Sequence, residues 1–282
     1  MKTTICLPRG RELCLDTPQI MGIVNVTPDS FSDGGFYYQA DNAVNQALSL
    51  LEQGATILDV GGESTRPGAP DVACEEELKR VIPVIEQIRR HSDCVISVDT
   101  SKAEVMREAI KAGADIVNDV RALQEPGALE VVAQYPEVAI CLMHMQGQPR
   151  TMQNNPTYTD LVTDIKAFFS ARILACKDHG IDTQRLILDP GFGFGKNLAH
   201  NYELLGSFDS FQSFELPLLA GLSRKSMFGH LLNRETNERL AASLAGALLC
   251  AQKGAHIIRV HDVQQTADVL KVWHAACNGV TI

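Results

Sequence analysis

Asn25, Asp59, Asp99, Asn118, Asp189 and Arg259 share a position: each stands at or near the end of a short apolar run. Reading the other run ends along the chain adds Met143-His144, Ser223 with Lys225, and His261 just after Arg259. A polar residue that merely begins a loop explains any one of these. It does not explain why successive ends carry three carboxylates, two amides and two cations. As chemistry, Asp99, Asn118 and Asp189 supply acceptors, Asn118 also supplies donors, and Lys225 is a donor. A carboxylate matches adjacent ring N–H and amino groups, as in a 2-amino-4-oxo heterocycle, with a lysine placed for the carbonyl. The flat guanidinium of Arg259 can stack on such a ring or hold an anion. Arg66, Arg259, His261 and the N-terminus of the final helix offer a phosphate pocket. Asn25 offers an oxygen to Mg²⁺, a hard ion that keeps several waters while bridging phosphates. Spacing alone leaves these pairings open.

The elements that must position these residues repeat one phrase. Gly54-Ala-Thr-Ile-Leu-Asp-Val60, Ala114-Asp-Ile-Val-Asn-Asp-Val120 behind Gly113, and Gly254-Ala-His-Ile-Ile-Arg-Val260 each follow a helical-looking stretch. Glycine suits the left-handed residue just past a helix, so Gly54, Gly113 and Gly254 mark helix exits. The apolar runs are too short for core helices and lack polar alternation, which suits strands buried on both faces. Strands are expected over 20–26, 56–60, 94–99, 115–118, 138–143, 185–189, 217–221 and 255–260. Helices are expected over 41–52, 75–89, 103–111, 127–134, 158–179, 201–211, 235–252 and 263–276. Ser101 with Glu104 reads as a capping box, and Asp262 with Gln265 resembles one. Eight strand–helix units point to an α/β fold, one (β/α)8 barrel, with an eight-unit open sheet as the alternative. Residues 3–16, turning at Pro8-Arg-Gly10, read as an N-terminal β-hairpin that caps the barrel bottom. The chain is expected to be a single domain over 1–282, with the hairpin in 1–17 and the barrel in 18–276. In such a barrel the C-terminal strand ends converge on one mouth, where active sites form.

Composition narrows the classes. The 282 residues are 45% hydrophobic and 21% charged, enough for a large core. No run approaches the roughly 18 apolar residues of a membrane span, and residues 1–8 lack the apolar region of a signal peptide. A net charge of −9 argues against a nucleic-acid or anionic-membrane partner. The 8 cysteines are scattered without a C-x-x-C pair, which suits reduced thiols in the cytoplasm. Cys6 and Cys14 flank the hairpin turn and read as two small hydrophobes rather than a facing pair.

Several motifs weigh less than they first promise. Gly191-Phe-Gly-Phe-Gly-Lys196 lacks the Gly-Lys-Ser/Thr of a nucleotide P-loop and reads as a flexible loop carrying Phe194 over a ligand. His144 and His261 lack zinc-ligand spacing. A Schiff base at Lys225 needs a depressed pKa that sequence does not show. Met145 and Met152 read as packing, the apolar positions of 158–179 as facing the barrel, and Glu75-Glu-Glu77 as an acidic first helical turn.

Longer stretches carry a family resemblance. Asn25-Val-Thr-Pro-Asp-Ser-Phe-Ser-Asp-Gly-Gly35, Gly61-Gly-Glu-Ser-Thr-Arg-Pro-Gly68, Ser97-Val-Asp-Thr-Ser-Lys102, Asp189-Pro-Gly-Phe-Gly-Phe-Gly-Lys-Asn197 and Ser223-Arg-Lys-Ser226 resemble the motifs of bacterial dihydropteroate synthases. Residues 254–262 resemble that family's last strand, so the likeness runs from about Ile20 to Val263. It implies a TIM barrel that joins 6-hydroxymethyl-7,8-dihydropterin diphosphate to 4-aminobenzoate, releasing diphosphate in folate synthesis. It implies that Asp189 holds the pterin 2-amino and N3 edge, Lys225 the O4/N5 edge, and Asn118 and Asp99 the opposite edge. Met143 and Phe194 would line the ring and Arg259 stack on it. Asn25, Thr65, Arg66, Arg259 and His261 would hold the diphosphate, with Mg²⁺ at Asn25. Phe31, Pro67, Lys225 and Ser226 would frame the aminobenzoate. Loop one, with Asp29 and Asp33, and loop two, with Arg66, would close over both substrates; the catalytic set is Asp99, Lys225, Arg66 and Asp33. The family further implies a homodimer through barrel helices and competition by sulfonamides. Two rivals remain: a methyltransferase acting on methyltetrahydrofolate, which would share a carboxylate–amide pterin pocket, and a non-catalytic pterin- or phosphate-binding module. The long loops at 25–35 and 61–68 speak against the methyltransferase.

Overall fold

The computed structural model describes residues 4–26, 36–64, 69–147, 152 and 155–279. The loop-one residues Asp29, Phe31 and Asp33, and the loop-two residues Thr65, Arg66 and Pro67, lie outside the described residues.

Strands β1 (Thr4–Leu7) and β2 (Arg11–Cys14) pair antiparallel, and eight further strands run parallel. These are β3 (Gln19–Asn25), β4 (Ile57–Gly61), β5 (Val95–Asp99), β6 (Ile116–Asp119), β7 (Ala139–Met143), β8 (Leu186–Asp189), β9 (Leu219–Ala220) and β10 (Ile257–Val260). They follow one another from β3 to β8, with β10 beside β3 and β9 beside β10. A bridge from Leu188 to Leu218 brings β8 to the β9 edge, so the sheet curls into a near-closed barrel. The helices between strands are α1 (Phe36–Glu52), α2 (Cys74–His91), α3 (Ala103–Ala112), α4 (Ala128–Ala133), α5 (Leu161–Asp178), α6 (Leu198–Gly206), α7 (Ser226–Leu232), α8 (Leu240–Gln252) and α9 (Val263–Asn278). This is the (β/α)8 TIM barrel with an N-terminal hairpin. Gly54, Gly113 and Gly254 all have positive φ just past helices, as their place in the repeated phrase predicts.

Two apolar clusters follow from the two-residue period of a strand. Outward residues such as Val24, Leu58, Val98 and Ile140 pack under the helices. Inward residues Met21, Ile57, Ile116, Cys141, Ile187, Leu219 and Ile257 fill the barrel floor with Ile5, Leu7, Leu13 and Leu15 of the hairpin. Two residues further along, the inward position is Asp59 after Ile57, Asn118 after Ile116, and Met143 after Cys141. Asp189 likewise follows Ile187, and Arg259 follows Ile257. The pleat that packs the floor therefore aims the polar ring into the barrel one layer higher.

The hairpin is stapled from below. The fully buried Asp115 accepts from Arg9 at 2.5 Å, Arg11, Arg89 at 2.7 Å and the backbone N–H of Ile96 at 2.9 Å. In the hairpin register Cys6 faces Glu12 and Cys14 faces Thr4, so the two are not a facing pair, and both are exposed.

Local signals failed where distant partners competed. Ser101 does not cap α3; the N-cap is Lys102, and the Ser101 hydroxyl donates to Asp119 at 2.5 Å. Asp262 does sit at the α9 N-cap, but its carboxylate is taken by Arg224 instead of the helix N–H groups. The helix expected over 201–211 is α6 followed by a 3₁₀ turn over Phe208–Phe214. The strand expected over 217–221 shortens to β9, and α7 had no counterpart in the sequence reading.

Candidate active site

One guanidinium organises the centre of the mouth. Arg259 Nε donates to Asp59 Oδ2 at 2.6 Å and Nη2 donates to Asp99 Oδ2 at 2.8 Å. Asn118 Nδ2 lies 3.2 and 3.4 Å from the two Asp59 oxygens. Asp59, which sequence reasoning placed in the ring without a role, is fully buried and holds both Arg259 and Asn118. A single cation shared by two carboxylates cannot neutralise both. Burial pushes Asp99 up to about 7 against the pull of Arg259, with Asp59 adding to the rise. Burial works against the Arg259 charge, yet Asp59 and Asp99 outweigh it and raise its pKa.

Asp189 and Lys225 form the second half. Asp189 Oδ1 accepts from Gly191 N at 2.8 Å, which leaves the carboxylate inside the barrel facing the Lys225 charge. Burial raises Asp189, and Lys225 opposes that shift. Lys225, in the loop after β9, reaches the loop after the neighbouring β8. Its ammonium donates to the Phe192 carbonyl and sits 4.4 Å from the centroid of the Phe194 ring. Burial lowers Lys225 to about 8 although Asp189 pulls the other way.

The 191–196 loop, expected to be flexible, is tied by buried contacts. Lys196 is almost wholly buried, and its ammonium contacts His144 Nδ1 and the carbonyls of Gly191 and Phe194 at 2.9, 2.9 and 3.1 Å. Tyr158 donates to the Gly195 carbonyl at 2.7 Å. A Cβ at Gly191 would lie 1.9 Å from the His144 carbonyl, and φ there is +73°, so glycine is required.

On the β9–β10 side, His261 packs on Ser223: its backbone N and Nδ1 lie 3.1 and 3.0 Å from the Ser223 hydroxyl. Arg224 adopts φ +58° between them, held by a two-pronged pair with Asp262 and by Ser243 Oγ on its backbone N–H. Ser226 is exposed at the first position of α7. Across the mouth, a cavity of about 410 Å³ is lined by Glu63, Asp99, Ser101, Lys102 and Arg121 among others. It touches Asp99 but neither Asp189 nor Lys225.

With that geometry in view, residues 21–261 match the family model described as pterin binding enzyme. Dihydropteroate synthases of Haemophilus influenzae and Escherichia coli are each 55% identical over 267 residues, spanning 94% and 95% of this chain and 97% and 94% of theirs. The chain belongs to the dihydropteroate synthase family. Among solved family members, the Yersinia pestis enzyme in a sulfonamide drug complex superposes with TM-score 0.92 at 53% identity, covering 97% of this chain and 99% of that one. The Xanthomonas albilineans enzyme with 4-aminobenzoic acid gives TM-score 0.92 at 50% identity, covering 99% of each.

Within this dihydropteroate synthase chain, the described ring gathers Asp99, Asn118 and Arg259 into one network and Asp189, Phe194 and Lys225 into a second. Met143 is buried beside Asp189 in the β7–β8 ladder. The residues that sequence reasoning missed are Asp59 as the anchor of Arg259, Lys196, and the ion cluster in which Lys102 bridges Glu63 and the buried Glu77. Glu77 is therefore more than an acidic first turn. Its signal was there: it is the one acid of Glu75-Glu-Glu77 that falls on the apolar face with Val81 and Val84. Toward Mg²⁺, Asn25 ends β3 half-buried and offers a neutral amide oxygen. No group of three or more His, Cys, Asp or Glu among the described residues could hold a metal ion. A hard ion held mainly by substrate phosphates and water, with one protein oxygen, fits that donor set.

Proposed function

We propose that this chain condenses 6-hydroxymethyl-7,8-dihydropterin diphosphate with 4-aminobenzoate to 7,8-dihydropteroate and diphosphate, as a dihydropteroate synthase of folate synthesis. The observation that carries the reading is the pair of inward networks at one mouth: acceptors at Asp189, Asp99 and Asn118, a donor at Lys225 and a flat cation at Arg259. Asp189 takes the pterin 2-amino and N3 protons, and Lys225 exchanges the Phe192 carbonyl for the pterin O4/N5 edge. Asn118 and Asp99 meet the opposite edge. Asp59 and Asp99 grip the Arg259 guanidinium, so the face offered to the ring is set before substrate arrives. Met143 and Phe194 line the ring.

The diphosphate is assigned to Asn25, Thr65, Arg66, Arg259 and His261, and the aminobenzoate to Phe31, Pro67, Lys225 and Ser226. When bound at Asn25, Mg²⁺ would supply neutralisation of diphosphate charge. Arg66 and His261 share that work by hydrogen bonding the leaving oxygens. The bond from the pterin methylene carbon to oxygen breaks, and the electron pair leaves with diphosphate. The arylamine nitrogen forms the new bond to that carbon and then sheds its proton. The dihydropterin ring carries the intermediate positive charge, and ionised Asp99 offsets it. Arg66 and Asp33, in the two long loops, are assigned to excluding water while the cation exists.

We place the enzyme in the cytoplasm, since its eight cysteines are all free, and read 1–282 as one domain, 1–17 being the hairpin and 18–276 the barrel. No helix of the described residues is long and apolar enough to cross a membrane.

Diphosphate release, measured with and without 4-aminobenzoate, tests the reaction. Release that needs both substrates is expected; release indifferent to the arylamine sinks it. In the same assay sulfamethoxazole should raise the apparent KM for 4-aminobenzoate without lowering kcat. A non-competitive pattern places the arylamine pocket elsewhere.

A further inference from the structure

We infer that Lys196 is a positioning residue for pterin binding, acting through the 191–196 loop to fix Lys225. The inference rests on the assignment of Lys225 to the pterin. Lys196 never reaches the mouth: it is 2% exposed and points under the loop. Its Nζ has three acceptors, His144 Nδ1, Gly191 O and Phe194 O, one for each ammonium proton. By binding the carbonyls of Gly191 and Phe194 it ties the start of the loop to its far side. Between those two anchors lie the groups that hold Lys225, the Phe192 carbonyl and the Phe194 ring. Gly193 completes the channel: a Cβ there would lie 3.1 Å from Lys225 Cδ, and its N–H is held at 2.7 Å by Asn201 Oδ1.

The buried acceptor is matched to the task. His144 stacks edge-on against Phe168 with centroids 4.9 Å apart, and its backbone N–H is fixed by the Asp189 carbonyl at 2.8 Å. Burial first, then the Lys196 charge, hold His144 down at about 2, so the ring is neutral and Nδ1 can accept. The same histidine thus links the loop anchor to the strand end that carries the pterin-binding carboxylate. A lysine that only stabilised the loop needs no such link to Asp189, and its removal would lower stability without touching how Lys225 titrates.

Lys225 is faced by Asp189 from β8, Asp99 from β5 and Arg259 from β10, and covered by the loop. Removing Lys196 lets the cover over Lys225 loosen, which relieves the burial that lowers it and raises its pKa from about 8.

The test uses the full chain and 6-hydroxymethylpterin as probe, with calorimetric affinity measured from pH 6.5 to 9.5. Lys196→Met should bind about 10-fold more weakly at pH 7, and the alkaline fall in affinity should move up by about one pH unit. On a Lys225→Met background the same substitution should cost less than about 2-fold, because the residue it acts through is gone. An unmoved alkaline midpoint, or the full loss on that background, reduces Lys196 to loop scaffolding and overturns the inference. Should Lys196→Met not fold, His144→Phe keeps the packed ring and removes one acceptor. It must then shift the midpoint in the same direction by less, and a folded His144→Phe with the wild-type midpoint overturns the inference equally. A wild-type chain that does not bind the pterin defeats the functional reading itself; wild-type binding with unshifted variants defeats only this step.

Discussion

In the roles proposed for them, Asp99 and Lys225 should set opposite limbs of a pH profile. Asp99 offsets the developing cation only when ionised, and burial has raised it to about 7. Lys225 donates to the pterin only when protonated, and burial has lowered it to about 8. The rate should therefore rise through about pH 7 and fall through about pH 8, a narrow bell in kcat/KM. Because Arg259 couples Asp99 to Asp59, the acid limb belongs to the network rather than to one residue. Asp99→Asn should remove that limb and slow turnover; a profile flat from pH 6 to 9 argues against both assignments. The sign for stability is opposite. A carboxyl whose folded pKa lies above its unfolded value favours folding below the unfolded value and loses that contribution as pH rises through about 7. Relative to wild type, Asp99→Asn should accordingly gain on the order of 1 kcal/mol in urea unfolding at pH 8 compared with pH 5. Asp189→Asn is a simpler case. An amide would turn a donor toward the pterin donors, and one mispaired buried group costs about 1–3 kcal/mol. Calorimetry should show pterin affinity roughly 10- to 100-fold lower, and wild-type affinity would remove Asp189 from the site.

Strands and their inward residues were legible because a barrel strand is a local object. Ile57 and Asp59 differ by the pleat alone, and so do Ile187 and Asp189. Arg259 and Lys225 were legible as cations at strand ends, whereas their resting partners were not. Nothing local says that Arg259 pairs with an aspartate 200 positions away, or that Lys225 rests on the Phe192 carbonyl. The capping assignments at Ser101 and Asp262 failed for the same reason: Asp119 and Arg224 are distant partners that outbid the helix end. α7 escaped notice because its 7 residues carry too few periodic positions, with Gly229 in the middle. The hairpin offers a test at this scale. Asp115 gathers Arg9, Arg11 and Arg89 on one buried carboxylate. Asp115→Ala leaves three guanidinium groups without their shared partner, and breaking a buried pair costs about 3–5 kcal/mol. A fall of several degrees in Tm is expected, with pterin affinity of the folded fraction unchanged, since the floor lies a layer below the ring. An unchanged Tm would show that the hairpin is held by its apolar face alone.

At the scale of the molecule, α8 is the element that does not fit an isolated barrel. Leu240–Gln252 contains no charged residue, although a helix on the outside of a barrel ordinarily turns a charged face to water. Ser243, Gly246, Ala247, Cys250 and Ala251 face inward, which leaves Ala241, Ala245 and Leu249 exposed along one strip at four-residue spacing. Leu231 and Leu232 at the end of α7 are also exposed, at 57% and 50%. We propose that this apolar surface is where two copies meet, giving the homodimer that the family resemblance implies. A stable interface buries roughly 1,200–2,000 Å² in total, so α8 would have to be joined by neighbouring surface such as the exposed Leu231 and Leu232. Small residues at Ala241 and Ala245 allow a partner helix to approach closely. The strip lies on the outer wall of the barrel and not at its mouth, so assembly and pterin binding should separate. Ala245→Glu places a carboxylate in the middle of the strip on both copies at once, where two like charges face each other without water. Sedimentation equilibrium should then give the monomer mass where the wild-type chain gives twice that value. Pterin affinity measured on the same sample should stay within about 3-fold of wild type. A wild-type chain that sediments as a monomer, or an Ala245→Glu variant that remains dimeric, moves the interface off this helix.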